Sequence, residues 1–452
     1  MIGMNGSNRD ANQRNALMVL WCLGILVVGV SVGRAMQSGS RSAFMVPVAA
    51  LGGAILIAVF ATHRNFFYAT TFATVPMTSI IIPGLNLPLN ELMLTAALLL
   101  AVAQNPGNLR RLPGFAKVAA AMLMGAMSVS AIINSGFDLP TGKRLGHLAL
   151  YCGLYLAIAA GLFPLRSIQK GLLVGISLAS LSGVLSLAAG ITPSGYEGRL
   201  TGQLFGDPNP AALMILVLGA LSIEIIQAGW RRNSVIALFA IPFLLTQSRG
   251  ALLAVGFCIA WWFVGRRLRP SAGLSLLATV VLMASVLKES VQNIGVFSSR
   301  TGSDVLRGEI LSKSVESARN NFWFGDGPGF NVLSVFSQYD FFFHNSFLAL
   351  ISEGGIISIA AVVSLMVMTL IRMCALPVSL RNPWFEIALI SILVVAFHLG
   401  EVLLDLPAAI AVGFCLYWID RSEPRSIQPR RPTTRLTGPP GPANWPRVAP
   451  VP

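Results

Sequence analysis

The sequence predicts an all-α fold, a polytopic transmembrane helical bundle of about 12–14 helices with a long, partly helical loop on its outer side. Three observations predict it. Of 452 residues, 54% are hydrophobic and only 11% charged, with mean hydropathy +0.71, whereas a soluble protein carries about a quarter charged residues. The apolar residues fall in separate runs that begin near Ala16, Ala43, Phe66, Leu92, Ala116, Leu148, Gly171, Pro210, Ser234, Ala251, Ser271, Ser346, Phe385 and Pro407. No polar stretch is long enough for a conventional soluble catalytic domain, which argues against a nucleotide-binding domain.

The first run is long, lacks a small-residue cleavage site and leads into further spans, so it reads as a helix rather than a removable signal. From there the connections alternate in charge. Arg64, Arg110, Arg111, Lys117, Arg166, Lys170, Arg231, Arg232, Arg266, Arg267, Arg269, Arg372 and Arg381 fall on the side of Arg9, Arg14 and the arginine-rich tail, with few acids. The positive-inside rule makes that side cytoplasmic and places both termini there. The net charge of +14 thus marks orientation in a bilayer, and nucleic acid is not an expected partner. Residues 1–421 form the transmembrane domain, and 422–452, rich in Pro and Arg, a disordered cytoplasmic tail. Cys22, Cys152, Cys258, Cys374 and Cys415 sit in or at the ends of apolar runs as packing residues, without disulfide or zinc spacing.

Two outer connections are long and polar, residues 191–209 and 288–345. In the second, Leu306, Ile310, Leu311, Val315 and Ala318 recur at near-helical spacing within Asp304–Asn320, which predicts an amphipathic helix lying on the membrane surface. Gly325–Gly329 predicts a turn, lacking the strand and helix of a nucleotide loop. Phe336, Tyr339, Phe341, Phe342 and Phe343 cluster just before the next span, as an interfacial belt or as a contact for a polyprenyl chain.

Outer arginines gain nothing from topology, so Arg34, Arg41, Arg144, Arg199, Arg249, Arg300, Arg307 and Arg319 are solvated charges, ion-pair partners or functional groups. Arg249 lies between two short apolar runs, at membrane depth or its edge, where an arginine is costly. Its guanidinium fork suits phosphate oxygens, with a carboxylate as the structural alternative. His344 precedes Asn345 and Ser346, natural caps for the next helix, whose positive end disfavours imidazolium. Asp207-Pro208-Asn209-Pro210 is likewise a capped helix start. Among the outer acids, Glu91, Glu197, Asp207, Glu353, Glu401 and Asp405 are candidate bases or ion-pair partners. Metal-ligand spacings and a Walker-type loop are absent, so no cofactor is expected.

In order, the chain shows an outer arginine before a capped Pro-Asn helix start (Arg199 in GRLTGQLFGDPNPAAL), a Thr-x-Ser-Arg-Gly run (Thr246 to Gly250) and a long outer loop with Arg307. A glycine-rich turn and HNSFLALISEGG (His344 to Gly355) follow. Over roughly Tyr196 to Gly355 this resembles the O-antigen ligase and polymerase superfamily. The resemblance implies a membrane glycosyltransferase of the bacterial inner membrane, metal-independent and inverting. It would take a glycan from an undecaprenyl-pyrophosphate donor on the outer face and pass it to a glycan, lipid or protein hydroxyl. It implies Arg199, Arg307 and His344 as catalytic residues, with Arg249, Asn209, Asn345 and Arg319 binding substrate. The sequence departs at Asp207, where asparagine or another small polar residue is more often expected; a carboxylate there repels pyrophosphate unless it pairs with an arginine. Repeat-unit and exopolysaccharide polymerases share these motifs. A flippase or transporter is the competing class, but it should show inverted repeats and midplane charges, whereas the distinctive polar residues here crowd one face.

Overall fold

The computed structural model describes residues 63–82, 87–136, 138–192, 196, 198–268, 271–273, 275, 278–279, 301–330, 332–335 and 339–423. The runs near Ala16 and Ala43, most of the run from Ser271, residues Arg34, Arg41, Glu197 and Arg300, and the tail beyond Glu423 lie outside them. The all-α, polytopic expectation holds. The longer helices among the described residues are α1 Arg64–Ala73, α2 Leu89–Gln104, α3 Gly114–Ser130, α4 Leu139–Ala159, α5 Leu165–Ala188 and α6 Pro208–Ile223, then α7 Trp230–Leu245, α8 Arg249–Phe263, α9 Thr301–Asn320, α10 Ser346–Ala375, α11 Pro383–Val395 and α12 Leu406–Ser422. Each described apolar run noted above corresponds to one of them. Among the described residues, four helical stretches are long and apolar enough to span a bilayer: Gly114–Asn134, Leu165–Ala188, Arg249–Arg267 and Ser346–Ala375.

Why some helices lie inside and others outside follows from their circumference. From Ala211 to Ile223, α6 is buried at nearly every position, and α11 and α12 are buried almost all round. A helix apolar on every face belongs in a core, and these three pack on one another, on α4, α5 and α8. By contrast α5 and α7 expose Leu178, Leu181, Leu185, Leu238, Ile241 and Leu244. Apolar surface on this scale suits hydrocarbon rather than water.

Helix α1 meets α5 with almost no side chain between them. A β-carbon built at Gly171 would lie 2.2 Å from the Ala69 carbonyl oxygen, and one at Gly175 2.2 Å from that of Ala73. This Gly-x-x-x-Gly stripe lets two backbones touch, a packing mode suited to lipid, where helix association relies on close van der Waals contact. Gly175→Val should therefore push α1 off α5 and cost about 1–3 kcal/mol or more, read as a lower unfolding midpoint in detergent. An unchanged midpoint would mean that α1 adjusts freely.

The outer loop contains elements of both kinds. Helix α9 buries Ile310, Ser314 and Ala318, an i, i+4, i+8 line that lies against α10. Leu311 and Val315, expected on the apolar face, are instead 38% and 50% exposed, because one narrow line of contact with α10 fixes the rotation of the helix. Of the aromatic segment, Phe336 lies outside the described residues, and Tyr339–Phe342 forms a strand not expected from the sequence. Ile81–Ile82 (β1) pairs with Leu87–Pro88 (β2), and Val332–Val335 (β3) pairs antiparallel with Tyr339–Phe342 (β4). Phe343 is buried while Phe342 is exposed.

Candidate active site

Three polar groupings meet at the end of the bundle where α4, α6, α8, α10 and α12 begin. The first is built on the start of α6. Asp207 caps that helix, accepting from the Asn209 amide at 2.7 Å, and also accepts from the Tyr196 hydroxyl. The Asp207 carboxylate is thus engaged by a phenol and a helix N-terminus. Arg199 donates from Nε to the Thr246 carbonyl at 3.0 Å and from a terminal nitrogen to Asn209 Oδ1 at 3.3 Å, with its guanidinium 5.7 Å from the Tyr196 ring centre. Its neighbour Leu200 donates to the Leu245 carbonyl at 2.8 Å, fastening the segment to the end of α7.

The junction between α7 and α8 carries the next cation. Gln247 adopts φ 50°, the only non-glycine residue with positive φ among the described residues. For a side chain with a β-carbon this conformation is uncommon, and it turns the chain so that α8 opens on Arg249. Arg249 is half-buried. It is the first residue of the candidate span Arg249–Arg267, at the edge of the apolar stretch as expected.

The second grouping surrounds His344. Asn345 caps α10, its Oδ1 accepting from the amides of Phe347 and Leu348 at 2.9 and 3.2 Å. Its carbonyl-type oxygen is therefore occupied by the helix. Ser346 is tied to the turn between α11 and α12: its amide donates to the Ala396 carbonyl, its hydroxyl to the Leu399 carbonyl, and the Val402 amide donates back to that hydroxyl. A β-carbon on Gly400 would collide with the Phe343 carbonyl, 1.8 Å away. The same turn reaches the first grouping, because a β-carbon on Gly250 would lie 3.0 Å from His398 Cβ. The 396–402 turn thus joins the neighbourhood of Arg249 to that of His344.

The third grouping is a buried charge centre. Arg144 on α4 pairs with Glu353 on α10 at 2.9 Å and with Glu401 at 3.5 Å, and the Glu353 side chain is fully buried. Glu353 Oε1 also accepts from the Gly329 amide at 3.1 Å. Alongside, His147 is bridged between Glu91 and the Leu404 carbonyl, 3.0 Å from each. Asp405 caps α12, accepting from the Leu406 amide at 2.7 Å, and burial pushes its carboxyl up to about 6 against the opposing pull of His147.

Glu353 also explains the glycine-rich turn. Helix α10 breaks at Gly354 and Gly355, the latter at φ 69°, where a β-carbon would sit 2.0 Å from the Trp323 carbonyl oxygen. Into that break docks the turn after α9: the Asp326 amide donates to the Ser352 carbonyl, Ser352 Oγ to Asp326 Oδ2, and Asn134 to the Gly325 carbonyl. The turn therefore serves as a latch between the outer loop and the bundle.

The sequence-derived candidates are distributed unevenly over this geometry. Arg199 and Asn209 touch one another, Arg249 adjoins them in sequence after Thr246, and Phe343 and Ser346, which flank His344 and Asn345, contact the 396–402 turn that also meets Gly250. Arg307 lies within α9, and Arg319 is exposed in its last turn. The Arg144–Glu353 pair escaped the sequence reading, which placed both residues on the outer side without joining them. One signal was available: an acid two turns into an otherwise apolar helix requires a partner.

Fold and polar centre together define a polytopic helical membrane protein with arginines and a histidine gathered at one end. Within that class, residues 234–363 match the family described as O-antigen ligase. The match supports the O-antigen ligase/polymerase superfamily for this chain and, with it, membrane glycosyltransferase activity of that general type. It spans Arg249, Arg307, Arg319, His344, Asn345 and Glu353, whereas Arg144, Arg199 and Asn209 precede it. No curated protein matches the chain.

Proposed function

We propose that the protein is a metal-independent, inverting glycosyltransferase of O-antigen ligase type. It moves a glycan from an undecaprenyl-pyrophosphate carrier to an acceptor hydroxyl on the outer face of the bacterial inner membrane, and both its termini are cytoplasmic. The observation that carries this reading is the convergence of Arg199, Asn209 and the Thr246–Gly250 junction with the turn that also holds the His344 segment. In the reaction the acceptor oxygen bonds to the anomeric carbon from the face opposite the carrier. The bond from that carbon to the pyrophosphate oxygen breaks, and its electron pair leaves with the carrier. Arg199, Arg249 and Arg307 neutralise the departing charge by electrostatics already in place before reaction, with Asn209 orienting Arg199 and Arg319 adding positive charge near the loop. His344, helped by the Asn345-capped helix start, accepts the proton of the incoming hydroxyl. Exposed apolar helix faces hold the polyprenyl chain.

Purified protein given lipid-linked glycan and acceptor, with no ion gradient, should form transferred product. Arg199→Ala and Arg307→Ala should each remove most of that activity, by about 100-fold if each supplies a transition-state contact. Lysine at either position should restore only part, since it offers charge without the fork. Because Arg199 also braces the Thr246 carbonyl, its variants need a matching unfolding midpoint. A folded Arg199→Ala protein with full activity would reassign the residue to structure.

A further inference from the structure

We propose that the opposite end of the bundle carries a binding site for an anionic glycerophospholipid, formed where α1 and α5 begin and α12 ends. A cavity of about 620 Å³ lies there, lined by Phe66, Leu165, Arg166, Ser167, Lys170 and Tyr417 among others, and no acid is among its described lining residues. Arg166 and Lys170 stand four residues apart on α5, so both project from one face. Both are exposed. The start of α5 has no side-chain cap, so its positive end adds to the same field. Two further cations flank the cavity, Arg64, which donates to the Leu162 carbonyl, and Arg421, 4.7 Å from the Tyr417 ring centre.

The composition of the walls selects the ligand. Cations without a carboxylate favour an anion, and the adjoining Phe66, 45% exposed, with Leu165 and Tyr417, offers apolar surface that a free inorganic anion has no use for. A phosphodiester attached to acyl chains satisfies both halves. The position is right for a headgroup, because α5 is a candidate span and the cavity lies at its first turns. The site is separate from the proposed reaction centre. Gly183, near the far end of α5, packs against Leu200 beside Arg199, about 20 Å from Lys170 at 1.5 Å per residue.

Native mass spectrometry of the detergent-purified protein, titrated in parallel with phosphatidylglycerol, phosphatidylcholine and inorganic phosphate, tests the assignment. Phosphatidylglycerol should be retained in preference to phosphatidylcholine, and the Arg166→Gln/Lys170→Gln double variant should weaken its retention by about thirtyfold. Phe66→Ser should weaken both lipids alike, and millimolar inorganic phosphate should leave the phosphatidylglycerol adduct in place. Equal retention of the two lipids by the wild-type protein, or undiminished retention by the double variant, would overturn the proposal. Displacement by inorganic phosphate would overturn it too, pointing to a soluble anion instead. Should the double variant unfold, Arg166→Lys/Lys170→Arg provides the comparison: it keeps both charges and must keep the lipid.

Discussion

Glu353→Ala is expected to destabilise the protein by about 3–5 kcal/mol, the cost of taking from a largely buried guanidinium its buried partner and leaving it only the exposed Glu401 at 3.5 Å. The Glu353 side chain is fully buried and that of Arg144 only 13% exposed, so water does not replace the lost contact. The damage should extend beyond the pair. Glu353 also holds the Gly329 amide, and its own backbone carbonyl accepts from Ser130 Oγ at 2.8 Å, so α3, α4, α10 and the latch turn meet at this residue. Unfolding in detergent should show the lower midpoint, and limited proteolysis should show faster cutting within 322–330. Removing both charges, as in Arg144→Met/Glu353→Leu, should recover much of the stability, because an apolar pair of similar volume often matches a buried ion pair. The double variant still lacks the acceptor for Gly329, so its activity should stay low while its midpoint rises. If the single variant melted with the wild type, the pair would have no structural role. If the double variant were fully active, the latch would have no bearing on transfer.

What the sequence discloses and what it hides divides along contact distance. Asp207 and Asn345 were legible as caps because a cap and the amides it serves lie within three residues, and both cap as expected. The Gly325–Gly329 turn was legible for the same reason, but its docking partner was not, since only the three-dimensional path brings it to the broken helix at Gly354–Gly355. The Arg144–Glu353 pair spans 209 residues, and eight outer arginines and six candidate acids among the outer ones offered many pairings of equal merit. Helix α9 illustrates a subtler loss. Its apolar residues form a broad stripe, and which part of that stripe is buried depends on α10, whose position no local pattern encodes.

His344→Gln is expected to reduce transfer by about 100- to 10,000-fold if the imidazole is the general base. Glutamine keeps hydrogen-bonding capacity but cannot take a proton at neutral pH, so it separates proton acceptance from mere orientation of the acceptor. In the wild-type enzyme the rate should fall on acidification, because a protonated imidazole can no longer accept the acceptor's proton. The residual activity of the glutamine variant should lack that acidic limb. A second group complicates the profile, since burial pushes the Asp405 carboxyl up to about 6, so that it too takes up a proton on acidification. Asp405→Asn resolves the overlap, because asparagine caps a helix as well as aspartate does and does not titrate. With His344 as base, the acidic limb persists in Asp405→Asn and disappears in His344→Gln. The opposite pattern would transfer the proton chemistry to the α12 start, and a His344→Gln enzyme that turned over near the wild-type rate would leave the histidine an orienting role at most.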